Sequence, residues 1–243
     1  MEEIAKVTQT WEYPEGTSWL KDNPELRLPL LFNIGSVLDA APGHMRALSF
    51  FDTAGEMLED ANGVMAASEI LAHSDLMVLM LDMRQIDIVR DVLAIQDKPS
   101  EVSPSALLTN LLTAIGSPGR FPQLAIVLNQ FDLVHQAART DGKVAEILNC
   151  GSAVFQDPYA LDANRSKLYL PDDGALVDGE CRQFLTHAGE GGFVNQVESY
   201  RGEVQFFAVS AVGGDPRQRV VPEDGISPFR VADPLRWAMH GVW

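Results

Sequence analysis

Basic residues, cysteines and long apolar runs are all scarce in this chain, and each scarcity removes a class of function. Of 243 residues, 18 are Lys or Arg against 34 Asp or Glu, a formal charge of −16 at pH 7. Such a surface repels phosphate backbones and anionic headgroups, which argues against generic nucleic-acid or membrane-surface binding. A single nucleotide, needing only local donors and one cation, is still compatible with it. There are two cysteines, Cys150 and Cys181, without metal-type spacing. A disulfide framework is therefore not expected, and a reducing cytoplasmic setting is. The longest apolar run, Leu76 to Leu81, falls far short of the roughly 20 residues that a bilayer-spanning helix needs. The opening Met-Glu-Glu-Ile-Ala-Lys lacks the basic-then-apolar pattern of a secretory signal. The histidines (His44, His73, His135, His187 and His240) are too widely spaced to suggest a zinc site. Neither Gly-x-Ser-x-Gly nor a cysteine with a plausible catalytic partner occurs, and Asp172-Asp173-Gly174 reads as a solvated acidic turn.

What is present suffices for one α/β domain, since 46% of the residues are hydrophobic. Thr8 to Pro24 reads as loop. Leu26 to Val37 and His44 to Phe51 are apolar strand candidates joined by the turn signal Asp39-Ala40-Ala41-Pro42-Gly43, hence an antiparallel hairpin. Glu59 to Ala72 is expected to be helical. Leu76 to Met83, apolar but for Asp82, suits a parallel strand buried on both faces. Ser103-Pro104 opens a helix, with serine as cap and proline at the first helical position, and Gly116 closes it. Gln123 to Leu128 and Glu203 to Val209 are two further buried strands. Helices are expected near Lys143 to Leu148, Gly179 to Ala188 and Gly192 to Tyr200, with a terminal helix opened by Asp233-Pro234. Strands alternating with helices predict a three-layer sheet, mostly parallel, whose ligands would bind at the carboxyl ends of the strands.

Polar clusters mark three such strand ends. Residues 51–56 read Phe51-Asp52-Thr53-Ala54-Gly55-Glu56, residues 129–132 read Asn129-Gln130-Phe131-Asp132, and Ser210-Ala211 ends the last strand. Taken alone, Asn-x-x-Asp after a strand is better explained by a helix cap, because both residues are favoured there. In this order, however, the clusters resemble the switch II, guanine-specificity and Ser-Ala motifs of Ras-like (TRAFAC-type) P-loop GTPases. The likeness is closest to the GTPase domains of bacterial double-GTPase proteins, with Tyr13-Pro14-Glu15-Gly16-Thr17 and Ala232-Asp233-Pro234-Leu235-Arg236-Trp237 as further matching segments. The resemblance implies a GTP-binding switch that uses GTP and Mg²⁺. Asp52 would hold the metal through water, with Thr17 as a second ligand in competition with Thr8 and Thr10. Gly55 would meet the γ-phosphate, and Glu56 would stand where relatives position the attacking water. Asn129, Gln130, Asp132, Ser210 and Ala211 would form the guanine pocket, with glutamine in place of the family's lysine. Arg84, Arg90 or Lys98 would supply a cation, or serve in surface ion pairs.

The family's phosphate loop, Gly-x-x-x-x-Gly-Lys-Ser/Thr, is missing, because Gly-Lys occurs only at Gly142-Lys143. The expected fold is thus a single GTPase-like domain over residues 1–243, with residues 135–202 inserted between the guanine motifs and the first, central strand absent. Three explanations stay open. The chain is the C-terminal part of a longer GTPase, or a protein partner or upstream segment supplies the strand, or the chain is a nucleotide-free pseudo-GTPase scaffold acting as a protein-interaction module.

Overall fold

The computed structural model describes residues 30–33, 47–50, 71, 73–96, 102–116, 120–159, 169–213 and 227–240. Leu30–Asn33 (β1) and Ala47–Phe50 (β2) pair antiparallel, Leu30 opposite Phe50 and Asn33 opposite Ala47, which is the hairpin read from the sequence. The apolar runs Leu76–Asp82 (β3), Gln123–Asn129 (β4) and Val204–Val209 (β5) form a separate three-stranded sheet in the order β3-β4-β5, entirely parallel. Asp82 lies opposite Asn129 and Asn129 opposite Val209, so the three carboxyl ends are level.

Parallel neighbours need crossover connections, and the intervening segments supply helices. After a 3₁₀ turn at Met83–Gln85 comes Asp87–Leu93 (α1), then Pro104–Ile115 (α2). The Ser103 hydroxyl caps α2 by accepting from the Ala106 N–H at 3.2 Å, and Gly116 ends it at φ +63°. Asp132–Thr140 (α3) and Gly142–Ile147 (α4) follow β4, with Asp141 capping α4 through the N–H groups of Lys143 and Val144. Pro171–Leu185 (α5) and Gly191–Glu198 (α6) are joined by Thr186–Glu190, which kinks at Gly189 (φ +96°), and Asp233–His240 (α7) closes the described chain.

α5 begins well before the expected Gly179. Pro171 at the first helical position and Asp172 and Asp173 in the first turn are helix-start chemistry, favoured by the geometry of proline and by the helix dipole, rather than a solvated turn. Gly174 is tolerated inside the helix for a packing reason: the Tyr169 hydroxyl and the Gln205 amide occupy the space where a Cβ would stand.

The sheet carries helices on both faces. On one face Met77, Leu79, Leu81, Leu124, Ile126, Leu128, Phe206 and Ala208 pack against α1, α2, α3, α5 and α6. Val144, Val177, Phe184 and Phe193, all within 135–202, belong to that same core. On the other face Ala125, Val127, Phe207 and Val209 are covered by Trp237 of α7. β4 is buried on both faces, as its composition requires.

β3 departs from expectation. Met77, Leu79 and Leu81 are buried, but Val78 is 47% and Met80 56% exposed. The register explains this: Val78 stands beside Ala125 and Met80 beside Val127, and Trp237 covers the β4 and β5 residues of that face without burying Val78 or Met80.

Candidate functional site

The residues ending the strands meet along the carboxyl rim of the sheet. Asp82 caps the 3₁₀ turn by accepting from the Arg84 backbone N–H at 2.8 Å. The Arg84 guanidinium donates to both of its carboxylate oxygens at 2.5–3.0 Å. The Gln130 amide reaches the same carboxylate at 3.2 Å. It does so from a left-handed backbone, φ +59°, which is strained for a residue with a side chain, and its Oε1 is buried without a partner among the described residues. Asp132 accepts from the Ser210 hydroxyl at 2.5 Å, and Ser210 Oγ accepts from the Gly213 N–H at 3.0 Å. The Phe131 N–H donates to the Val209 carbonyl at 3.0 Å.

Gln130, Asp132 and Ser210 thus come together with Asn129 at the end of β4, while Ala211 is exposed just beyond β5. Asp132 and Ser210 tie the start of α3 to the end of β5, and Gln130 reaches across to Asp82 of β3. Thr17, Asp52, Gly55 and Glu56, with Thr8, Thr10 and Lys98, lie outside the described residues. Arg84 is paired with Asp82, and Arg90 with Asp87. Among the described residues no group of three or more His, Cys, Asp or Glu is placed to hold a metal ion. Cys181 is wholly buried, which pushes its thiol pKa well up and keeps it unreactive, whereas Cys150 is exposed.

The two edges of the parallel sheet are treated differently. Along β5 the outward Phe206 N–H donates to Asp178 of α5 at 2.8 Å. Asp178 is in turn held by Arg182 at 2.7 and 3.1 Å, and the Arg182 guanidinium lies 4.4 Å from the centre of the Phe206 ring. Beyond β5, Ser210 and Phe229 exchange a pair of backbone hydrogen bonds at 3.0 and 2.7 Å, an antiparallel bridge that continues the edge. The Tyr169 hydroxyl bonds the Gln205 amide. Along β3, by contrast, none of the described residues pairs with the outer edge.

Arg230, next to the bridging Phe229, locks that closure. Its side chain is 1% exposed and its backbone left-handed at φ +51°. The guanidinium spans Asp173 at 2.8 and 2.9 Å, Asp233 at 2.7 Å, and the carbonyls of Gln156 and Ala153 at 2.7 and 3.2 Å. Burial works to lower its pKa, but the Asp173 and Asp233 carboxylates outweigh that, so the cation is held firmly. Burial pushes the Asp233 carboxyl up against the pull of Arg230 and Arg236. The arginine direction governs the cluster, because one guanidinium serves two carboxylates at short range. Reading the sequence missed this group, since its partners lie far apart along the chain. The Asp178–Arg182 pair carried a readable signal in its i,i+4 helical spacing.

At the amino end of β5 lies an open cleft of about 300 Å³, lined among others by Tyr169, Asp178, Glu203, Gln205, Trp237 and His240. Burial pushes the Tyr169 phenol up to about 12. The cleft brings an imidazole near a phenol, with ring centres 5.4 Å apart, but places no nucleophile against a base.

The chain is similar to a protein of Mycolicibacterium smegmatis that bears the provisional name ESX-1 scaffolding and assembly protein SaeC, with 32% identity over 224 residues, 88% of this chain. It spans about half of that relative, 55% of its length. No protein-family model matches the chain. No solved structure matches it either. The similarity overturns the GTPase assignment: the relative is named as a scaffolding and assembly protein, and neither a family model nor a solved structure supports a P-loop GTPase. The reading of the chain as a GTP-binding switch is corrected with it. What the structure shows is an α/β arrangement with a small parallel sheet and flanking helices, a description far broader than the P-loop fold.

Proposed function

We propose that this chain is a protein-interaction module with a scaffolding role in the assembly of an ESX-1-type apparatus. The similarity to the M. smegmatis scaffolding and assembly protein over most of this chain carries the reading. The surface described above supports it, because an apolar strand face left half exposed suits a protein partner. The acidic surface favours partners that present basic residues, and it gives electrostatic complementarity a role in choosing among them.

The test is biochemical. An affinity-tagged chain is expressed at native level in its own host, crosslinked in the cell and purified. The expected outcome is recovery of ESX-1 components in near-equal amounts with the chain. Recovery of none of them, alongside normal ESX-1 assembly in a strain lacking the chain, overturns the reading.

A further inference from the structure

We propose that the outer edge of β3, with the apolar face formed by Val78 and Met80, receives an extended strand from a protein partner, an apolar segment flanked by Lys or Arg. The proposal rests on the reading of the chain as an interaction module and names the surface that module uses.

Composition and position disagree at β3. Leu76 to Leu81 is unbroken apolar sequence with no lysine, proline or glycine. That is the make-up of a strand with neighbours on both sides; edge strands are ordinarily blunted with charge, proline or a bulge, because their unpaired N–H and C=O groups template further pairing. Among the described residues β3 pairs with β4 on one side and with nothing on the other. The β5 edge shows that this molecule can close an edge, with Asp178 on the Phe206 N–H and Phe229 on Ser210. No such device faces β3 among the described residues. The exposed pair Val78 and Met80 adds side-chain area to the backbone template, which is the combination that strand addition uses.

Charge decides the occupant. A second copy would bring another −16 against the −16 already present. The amino end of the edge carries Asp75, whose side chain is 88% exposed and whose Arg120 contact is loose at 3.3 Å, while Asp82 at the other end is already held by Arg84 and Gln130. An apolar strand with Lys or Arg beside the Asp75 end matches that pattern. The hairpin β1–β2 is the other apolar segment at hand, but it is paired within itself and belongs to a separate sheet.

The experiment places the photo-crosslinking amino acid benzoylphenylalanine at position 80 of the tagged full chain in its native host. The same probe at position 176 is the control, since Leu176 is equally exposed but lies on α5. The expected result is a product specific to position 80 that mass spectrometry assigns to another protein, at an apolar segment flanked by Lys or Arg. Val78→Lys, checked for native circular dichroism, is expected to lower its yield on the order of tenfold. Crosslinks to residues 30–50 of the same chain, to a second copy, or at no higher level than position 176 each overturn the proposal. If position 80 fails while ESX-1 components still co-purify, the surface is wrong and the scaffolding reading stands. If both fail, both fall.

Discussion

The β5 edge of the sheet is closed by polar chemistry and the β3 edge is left apolar, although both strands hydrogen-bond to the same central β4. Closing β5 takes a carboxylate on a backbone N–H, an arginine stacked on a phenylalanine, a two-bond bridge and a buried guanidinium behind it. Each of these groups had to be desolvated, so the closure is a specific construction and not a default. β3 has apolar side chains on both faces and, among the described residues, no equivalent. The contrast teaches that the two edges of one sheet are set by what the sequence places beside each of them.

The heaviest blow to the closed edge is Arg230→Leu. Removing the guanidinium deprives Asp173 and the carbonyls of Gln156 and Ala153 of their partner and leaves Asp233, only 6% exposed in its side chain, with Arg236. Breaking a buried ion pair from one side typically costs about 3–5 kcal/mol. Urea unfolding is expected to show a loss of that size, and amide exchange at Ser210 and Phe229 to accelerate beyond what the global change explains. A loss under about 1 kcal/mol, the scale of an exposed ion pair, would mean that the cluster is solvated and the edge is closed by something else.

Asp178→Ala acts on the same edge with a smaller effect. It leaves the Phe206 N–H without its acceptor and Arg182 without its main partner. Hydrogen bonds to charged groups contribute about 1.5–3 kcal/mol, and the partial exposure of Asp178 places the expected loss near the lower figure. Asp178→Asn, which keeps an acceptor oxygen, is expected to recover part of it. Equal losses in the two variants would assign the whole effect to the Arg182 ion pair.

Where the sequence could be read and where it misled follow the same division between local and distant causes. β4, α2 and α7 are legible because their signals are local: an apolar run, Ser103-Pro104 with Gly116, and Asp233-Pro234. The start of α5 was hidden because Asp172-Asp173-Gly174 has the composition of a turn, and only the contact with Tyr169 and Gln205 explains the glycine. The face of β3 was misread because a run of apolar residues cannot say what lies above it. The GTPase likeness had a similar origin. A parallel sheet must turn from strand end to helix start, and Asn129, Asp132 and Ser210 are residues suited to tying such turns together. Short polar motifs at successive strand ends therefore arise from the architecture as readily as from a nucleotide site. Arg230 was invisible because Ala153, Gln156 and Asp173 approach it only in the folded chain.

Alkali offers a gentler test of the closed side. Burial pushes the phenols of Tyr169 and Tyr200 up to about 12, and Tyr169 bonds Gln205 of β5. A folded-state pKa above the unfolded value near 10 gives stability that is complete below about pH 10 and lost as the pH rises through about 12. Absorbance at 295 nm is expected to show late ionisation of these phenols, with Tyr169→Phe removing one late step and Tyr200→Phe the other. Ionisation of both near 10 in the folded protein would show that the Tyr169 corner is open to water.

The smallest expected effect belongs to the open edge. Val127 of β4 and Val78 of β3 point to the same face, but Val127 is 2% exposed and Val78 47%. Valine to threonine keeps the shape and the strand preference and adds one hydroxyl, so the substitution reads burial almost alone. At Val127 the hydroxyl is buried without a designed partner, a loss of about 1–3 kcal/mol. At Val78 it meets water, and the change is expected to stay within about 0.5 kcal/mol. A matching loss at both positions in the isolated chain would mean that another part of the chain already covers Val78, and the β3 edge would then be closed without any partner.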